Sequence, residues 1–314
     1  MSRCHTPARS LAPTWARSRS FTLLLALSAL AGQGTPTLAQ VPASPDIILD
    51  GTTGAPLTRD ALLLRLQGAD FVLLGEVHDN ATQHQLRAGL IGASASRKPA
   101  IVFEQFPWGA DSVLQTQPTS PIEDWLDRAG FDRKNWHWPL HQPLVDVTVQ
   151  YDLQRYGSQL NRDRLRPVMQ GGPSAAPAPL GEMMIQVPLS EAGAQALVQT
   201  LAEGHCGELP QEMVPMMRIA QEARDAAMTD ALLRAAQGGH PAWLIAGNGH
   251  AGRDYGVPRF LAQLAPAKQV VVVGFLEREP DGALPSEAER SVYDVVWVTE
   301  RAEREDPCLA MRKN

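Results

Sequence analysis

Two glutamates and two histidines fall where a sheet of buried strands would bring them together. Glu76 and His78 follow the apolar run Phe71, Val72, Leu73, Leu74 and then Gly75. Glu104 ends a second run, Ala100, Ile101, Val102, Phe103. His250 closes Gly247-Asn248-Gly249-His250, directly after a third run, Trp243, Leu244, Ile245, Ala246. Strands covered on both faces read as continuous apolar runs, and open α/β sheets keep their sites at the carboxyl ends of strands. There a carboxylate can orient an imidazole and raise its pKa, which suits acid–base chemistry. His78, His250, Glu76 and Glu104 are also a reasonable ligand set for a divalent metal. The plainer alternative is that each only satisfies backbone groups at a strand end.

Other groups surround this set. His84 lies six residues past His78 and can point to the same edge or to solvent, while Asp79 and Asn80 read as a helix N-cap. Trp136, His137, Trp138 and His141 form a tryptophan-flanked histidine cluster, suited to a planar, apolar, metal-bearing ligand such as haem or simply to a packed aromatic loop. Arg218 and Arg224 can pair with ligand carboxylates or, with Asp225, make a solvated helix face. Met213, Met216 and Met217 fit core or an apolar ligand face. No nucleophile-elbow, zincin, P-loop or dinucleotide motif is present.

The elements that must position these residues alternate between strand and helix. A short strand at 46–49 leads to a helix capped by Thr58 and carrying Leu62, Leu63 and Leu66. The strand at 71–74, a helix from near Thr82 and the strand at 100–104 make a βαβ unit. Residues 105–142 hold four of the seven tryptophans, so they form a structured cap. Helices are expected at 144–153, from Arg162, after Ser190, and from Met213 or Pro215 to Gly238, with a Pro/Gly/Ala loop at 171–181 that could separate two lobes. Strands follow at 243–246, 270–275 and 293–299, the last expected at an edge, with a helix carrying Val257, Phe260 and Leu261 among them. The shared form G-x-x-H at 75–78 and 247–250, each after a strand and before a helix, suggests two related halves. The fold class is therefore α/β: a mostly parallel central sheet with helices on both faces, two pseudo-repeated halves and a helical, irregular cap.

Residues 1–39 read differently from the rest. Arg3, Arg9, Arg17 and Arg19 precede an apolar run at 21–31, and Thr37-Leu38-Ala39 supplies a small-residue cleavage site. This is the pattern of a secretory signal peptide, cleaved after Ala39, leaving a single domain over 40–310 that is periplasmic or secreted. No cysteine follows the apolar run, so it is not a lipoprotein by sequence. Losing four arginines and no acids takes the net charge from −6 to −10, a balance that excludes nucleic acid as a partner. Cys206 and Cys308 then remain, and an exported chain with two cysteines is expected to pair them. A metal or haem thiolate at Cys206, beside His205, is the alternative.

Together, Gly75-Glu76-Val77-His78-Asp79 with His84, the strand ending in Glu104, Gly204-His205-Cys206-Gly207, the stretch from Gln221 to Met228, and Ala246-Gly247-Asn248-Gly249-His250 resemble the ChaN-like haem-binding uptake proteins of the Tiki superfamily. The resemblance runs over about residues 46–308. It implies an exported α/β protein that binds haem without a covalent link, serves haem-iron acquisition and can dimerise around haem, with an outer-membrane haem receptor as a further partner. His141, His137, Trp138, Tyr255 and Arg224 are the haem-binding residues this reading names. The wider superfamily includes erythromycin-esterase-like hydrolases and Tiki metalloproteases, whose active sites would fall on Glu76, His78, Glu104 and His250. The chain departs from its relatives where a tyrosine often stands, placing His141 there, and its Gly157-Ser158-Gln159-Leu160 stretch is altered.

Overall fold

A computed structural model describes residues 46–306, 308 and 309; the expected signal peptide lies outside the described residues. The elements in order are β1 (Ile47–Asp50), α1 (Arg59–Gly68), β2 (Phe71–Leu74), α2 (Ala81–Ala93), β3 (Ala100–Pro107), α3 (Asp111–Leu114), α4 (Ile122–Arg128) and α5 (Gln142–Gln150). They continue with β4 (Arg155–Gln159), α6 (Arg162–Gly171), α7 (Leu180–Gln186), α8 (Glu191–Gly204), α9 (Val214–Ala236) and β5 (Ala242–Ile245). Last come α10 (Asn248–Ala251), α11 (Val257–Leu264), β6 (Val270–Glu277), α12 (Glu287–Arg290) and β7 (Val295–Thr299).

The strands form one sheet in the order β1-β7-β6-β2-β5-β3-β4. All neighbours are parallel except β1 with β7. Period-two alternation sends successive side chains to opposite faces. Val72, Leu74, Ile101, Phe103, Trp243 and Ile245 pack against α1, α2 and α5. Phe71, Leu73, Val102 and Leu244 pack against Met228 and Leu232 of α9 and Val257 and Leu261 of α11. With both faces covered, every residue of β2 and β5 is buried, which is why these strands are unbroken apolar runs.

Chain path makes the crevice. From β2 the chain crosses to β3, beyond β5; from β5 it crosses to β6, beyond β2. The crossing elements lie on opposite faces, so the two connections diverge above β2 and β5. Such a point of divergence is where open α/β sheets bind ligands.

Two expectations need correction. The strand at 295–299 is not at an edge, because β1 pairs with it antiparallel, Ile47 opposite Val298. The true edge on the other side is β4, whose Arg-Tyr-Gly-Ser-Gln composition hides it. It is held by the Ser158 hydroxyl donating to the Phe103 carbonyl at 2.9 Å. The stretch 171–181 separates no lobes: the described residues belong to one unit within Ala43–Asn314, and the backbone at Gly181 approaches the Pro173 carbonyl so closely that a Cβ would lie 2.3 Å from its oxygen. Cys206 and Cys308 are joined as a disulfide, their Cα atoms 5.5 Å apart.

Candidate functional site at the carboxyl ends of the strands

Strand register sets the site. Leu74 and Phe103 both lie level with Ile245, so Gly75-Glu76, Glu104 and Ala246-Gly247 leave the sheet side by side. The turns then approach each other closely. A Cβ on Gly75 would fall 2.1 Å from Asn248 Oδ1, so this glycine serves close approach. The Asn248 side chain accepts from the Phe275 N–H at 3.1 Å and donates to the Phe275 carbonyl at 2.6 Å, while its backbone N–H donates to the Glu76 carbonyl at 3.0 Å. Asn80 caps α2, accepting from the Gln83 N–H. Gln83 in turn accepts from the Val77 N–H at 2.7 Å.

Glu76 is the centre of a buried polar cluster. Its Oε1 lies 2.6 Å from His78 Nδ1 and accepts from Gln105 Nε2 at 3.2 Å. Its Oε2 faces the fully buried guanidinium of Arg87 and lies 3.3 Å from His84 Nδ1. Arg87 also donates to His84 Nδ1 at 2.7 Å, which leaves His84 Nε2 to donate to the His78 carbonyl at 3.0 Å. The His141 ring packs on His84, centroids 4.2 Å apart; its Nδ1 lies 3.0 Å from the Trp136 carbonyl and its Nε2 3.5 Å from Glu76 Oε1. Burial first, then the neighbouring His84 and Arg87, depress His141 to about 2; burial depresses His84 to about 4. Both are neutral. Arg87, lowered by burial to about 9, remains the cation there.

A second pair faces the first across Gly247. His250 Nδ1 lies 2.5 Å from Asp225 Oδ1 on α9, and its Nε2 lies 3.5 Å from Glu104 Oε1. Burial alone would depress His250, but Glu104 and Asp225 outweigh it and its pKa is raised. Burial would raise Glu104, but His250, His78 and the Gly247 N–H, donating at 2.8 Å, hold it low. Buried Asp225 is raised. Glu104 thus carries the negative charge between the two imidazoles, with Arg224 beside it.

The structure therefore brings Glu76, His78, Glu104 and His250 to one crevice, though not as one ion's ligands. Among the described residues, the set of acids and histidines with ligand atoms all within 4.8 Å is Glu76, His84 and His141. Arg87 already donates to both Glu76 and His84, so a cation occupies that cluster's charge. The named haem-binding residues scatter. His141 is turned inward with its side chain 3 % exposed. Tyr255 is buried, its hydroxyl on Thr200 at 3.2 Å and its pKa pushed up by burial to about 12. Trp138 packs on Phe131 and donates to Glu123 at 3.2 Å. His137 is exposed, and Arg224 lines a 640 Å³ groove with Arg162, Arg166, Leu165, Met169 and Asn135. Sequence reasoning missed Arg87 and Gln105, and treated Asp225 as surface.

A family model described as haem-binding uptake, Tiki superfamily, ChaN matches residues 62–261. Among solved structures, ChaN of Campylobacter jejuni with cofacially bound heme is similar at TM-score 0.65 and 20 % identity, covering 82 % of this chain and 97 % of that one. An erythromycin esterase mutant in its open conformation gives TM-score 0.41 at 13 % identity, covering 84 % and 85 %. A Bacillus cereus protein gives 0.41 at 14 %, covering 71 % of each chain. No curated protein matches. The family match spans well over half the sequence, and the chain belongs to the ChaN-like haem-binding uptake family of the Tiki superfamily.

Proposed function

We propose that this is an exported haem-binding protein that holds haem non-covalently at the carboxyl edge of its sheet and serves haem-iron uptake. The observation that carries this reading is the site's donor set in its family context. A half-exposed imidazole, His78, stands at the crevice with one nitrogen on a buried carboxylate. The 640 Å³ groove with Arg162, Arg166 and Arg224 in its lining is within the size range of small-molecule sites and suits carboxylates such as haem propionates. Haem would supply the iron; the chain would supply an imidazole from His78, cations from Arg162, Arg166 and Arg224, and an aromatic wall from Trp136. Titrating the purified, haem-free protein with haemin tests this: a saturable Soret shift is expected, and its absence refutes the reading.

Export to the periplasm or the medium, followed by removal of residues 1–39, completes the proposal. It is supported by the basic, apolar, small-residue order of that segment and by the Cys206–Cys308 disulfide. Amino-terminal sequencing from fractionated cells should begin at Gln40. Haem held between two copies, and transfer involving an outer-membrane haem receptor, are the partner interactions this role needs. Sizing with and without haemin reports the first.

A second reading is hydrolysis. It rests on the two carboxylate–imidazole pairs, Glu76–His78 and Asp225–His250, on either side of Glu104. An ester and peptide panel decides it. Turnover abolished by Glu104→Gln would establish it, and an inactive wild-type protein removes it.

A further inference from the structure

We propose that the Cys206–Cys308 disulfide is a redox-sensitive clasp that couples the two G-x-x-H turns, 75–78 and 247–250, and that its reduction by a dithiol loosens both. The path between the turns is continuous and short. Past β7 the chain returns over the start of α2. There Arg304 donates at 2.7 Å to Asp79, the residue after His78, and at 2.7 and 2.5 Å to the two carboxylate oxygens of Glu277. Glu277 also accepts from Asn80 Nδ2 at 2.7 Å, and Asn80 caps α2. Cys308 follows Arg304 by four positions, a reach of at most about 14 Å, and its sulfur is bonded to Cys206 just past α8. From α8, Thr200 meets the Tyr255 hydroxyl at 3.2 Å. That hydroxyl lies against Gly249, where a Cβ would come 3.1 Å from it. One end of the path thus touches the neighbour of His78 and the other the neighbour of His250.

Three observations support a switch at this link. Of the 14 residues of α8 only Gly193 and Leu197 are buried, so packing holds the helix weakly and the disulfide governs how firmly it bears on Tyr255. Cys206 has φ 57°. Helix α8 ends there in a Schellman arrangement, the Gly207 N–H donating to the Ala202 carbonyl at 2.8 Å and the Cys206 N–H to the Glu203 carbonyl at 3.0 Å. The left-handed position of that arrangement is one that glycine fills without strain, and a cysteine stands in it. Both cysteines are half-buried between exposed neighbours, Gly204, Gly207 and Glu208 on one arm and Asp306 and Leu309 on the other, so a thiolate can reach the bond. One thiolate of the dithiol attacks a sulfur to form a mixed disulfide, and its second thiol then displaces the protein. Two electrons and two protons pass to Cys206 and Cys308, which leave as thiols, while the dithiol becomes a disulfide.

The test takes the mature chain, haem-free and oxidised, treats it with dithiothreitol and reads amide exchange over residues 75–80 and 247–252. Thiol labelling should show both cysteines freed while circular dichroism stays that of the folded protein. Exchange in both turns should rise by about 3–10-fold, as expected for releasing a partly exposed ion-pair network. Oxidised Arg304→Gln should show the same rise at 75–80, and dithiothreitol should add nothing further there, because the path is already cut. Unchanged exchange in both turns of the folded, reduced protein overturns the clasp, as does a disulfide that opens only when urea unfolds the chain. The consequence for ligand release rests on the haem reading. Haemin bound to Cys206→Ser/Cys308→Ser, which avoids a reductant that itself binds iron, should pass to an excess of a haem-scavenging apoprotein about 3–10-fold faster than from wild type, with its Soret spectrum unchanged. Equal release rates overturn the gating of haem by the clasp. A wild-type protein that never binds haemin overturns the haem reading instead, and amide exchange still decides the clasp.

Discussion

Substituting Gly247 by alanine probes the crevice without touching any polar group. The backbone there, φ −61° and ψ 152°, is one that any L residue adopts, so the change carries no backbone strain. Its N–H still reaches Glu104. The effect comes from one methyl carbon, which would lie 2.9 Å from His78 Nε2, 3.0 Å from His78 Cε1 and 3.8 Å from Glu104 Oε2. Non-bonded carbons are at ease at about 3.5–4.0 Å, so the imidazole must retreat by roughly half an ångström or more. It can, because half of it is in solvent. Retreat stretches the 2.6 Å contact with Glu76, a hydrogen bond to a charged group of the kind worth about 1.5–3 kcal/mol. With the ring half-exposed, only part of that is lost, about 1 kcal/mol. Haem binding should suffer more, because the methyl fills the crevice beside the half-exposed His78 ring and unseats its support. A loss of about 10–100-fold follows, as for second-sphere changes at metal sites. Haemin titration gives the affinity and urea unfolding gives the stability. A Gly247→Ala protein with wild-type haem affinity and spectrum would refute the crevice as the haem site. A stability loss above about 3 kcal/mol would refute the claim that the methyl meets only a movable ring.

Other perturbations test the cluster behind that ring. Arg87→Met leaves Glu76 as a buried, unpaired carboxylate and should cost about 3–5 kcal/mol in urea unfolding; a change below about 1 kcal/mol would show that Arg87 does not neutralise it. His84 and His141 are neutral in the fold, held at about 4 and about 2, whereas in the unfolded chain they take up protons below about 6.5. The haem-free protein should keep their full contribution above that pH. It should lose up to about 1.4 kcal/mol per pH unit for each as pH falls toward 4; equal urea midpoints at pH 7 and pH 5 would contradict this. The Cys206–Cys308 link spans 102 positions, and chain-entropy arguments put such a loop at up to about 4.7 kcal/mol. Replacing both cysteines with serine should lower the urea midpoint and leave the haem spectrum unchanged, and an unchanged midpoint would show that the link does not stabilise the fold.

What the sequence reveals and conceals here has physical causes. Strands buried on both faces advertise themselves as apolar runs, so β2, β3 and β5 and the polar residues at their ends are legible. Their adjacency rests on long-range pairing, and no local pattern encodes the order β2-β5-β3. Strand β4 escapes because an edge strand does not need an apolar run: Arg155 is buried by donating to the Leu114, Leu153 and Thr116 carbonyls, and Ser158 ties into β3. Arg87 and Asp225 look like solvated helix residues until their spacing is considered. Arg87 lies three and four positions before buried Leu90 and Ile91, and Asp225 three and seven before buried Met228 and Leu232. A charge on the apolar stripe of a helix must meet a partner inside, and each does so at a strand end or at the turn that follows one. The tryptophan-flanked histidines mislead for a related reason. Aromatic flanks suggest a ligand pocket, but Phe106, Phe131, Trp136 and His141 stack edge to ring from the core outward and end at His78. Those aromatics turn His141 inward and wall the crevice. Composition can place a histidine among aromatics; whether it can take a metal depends on which nitrogen has a carboxylate behind it and open space in front, and that follows from the tertiary fold.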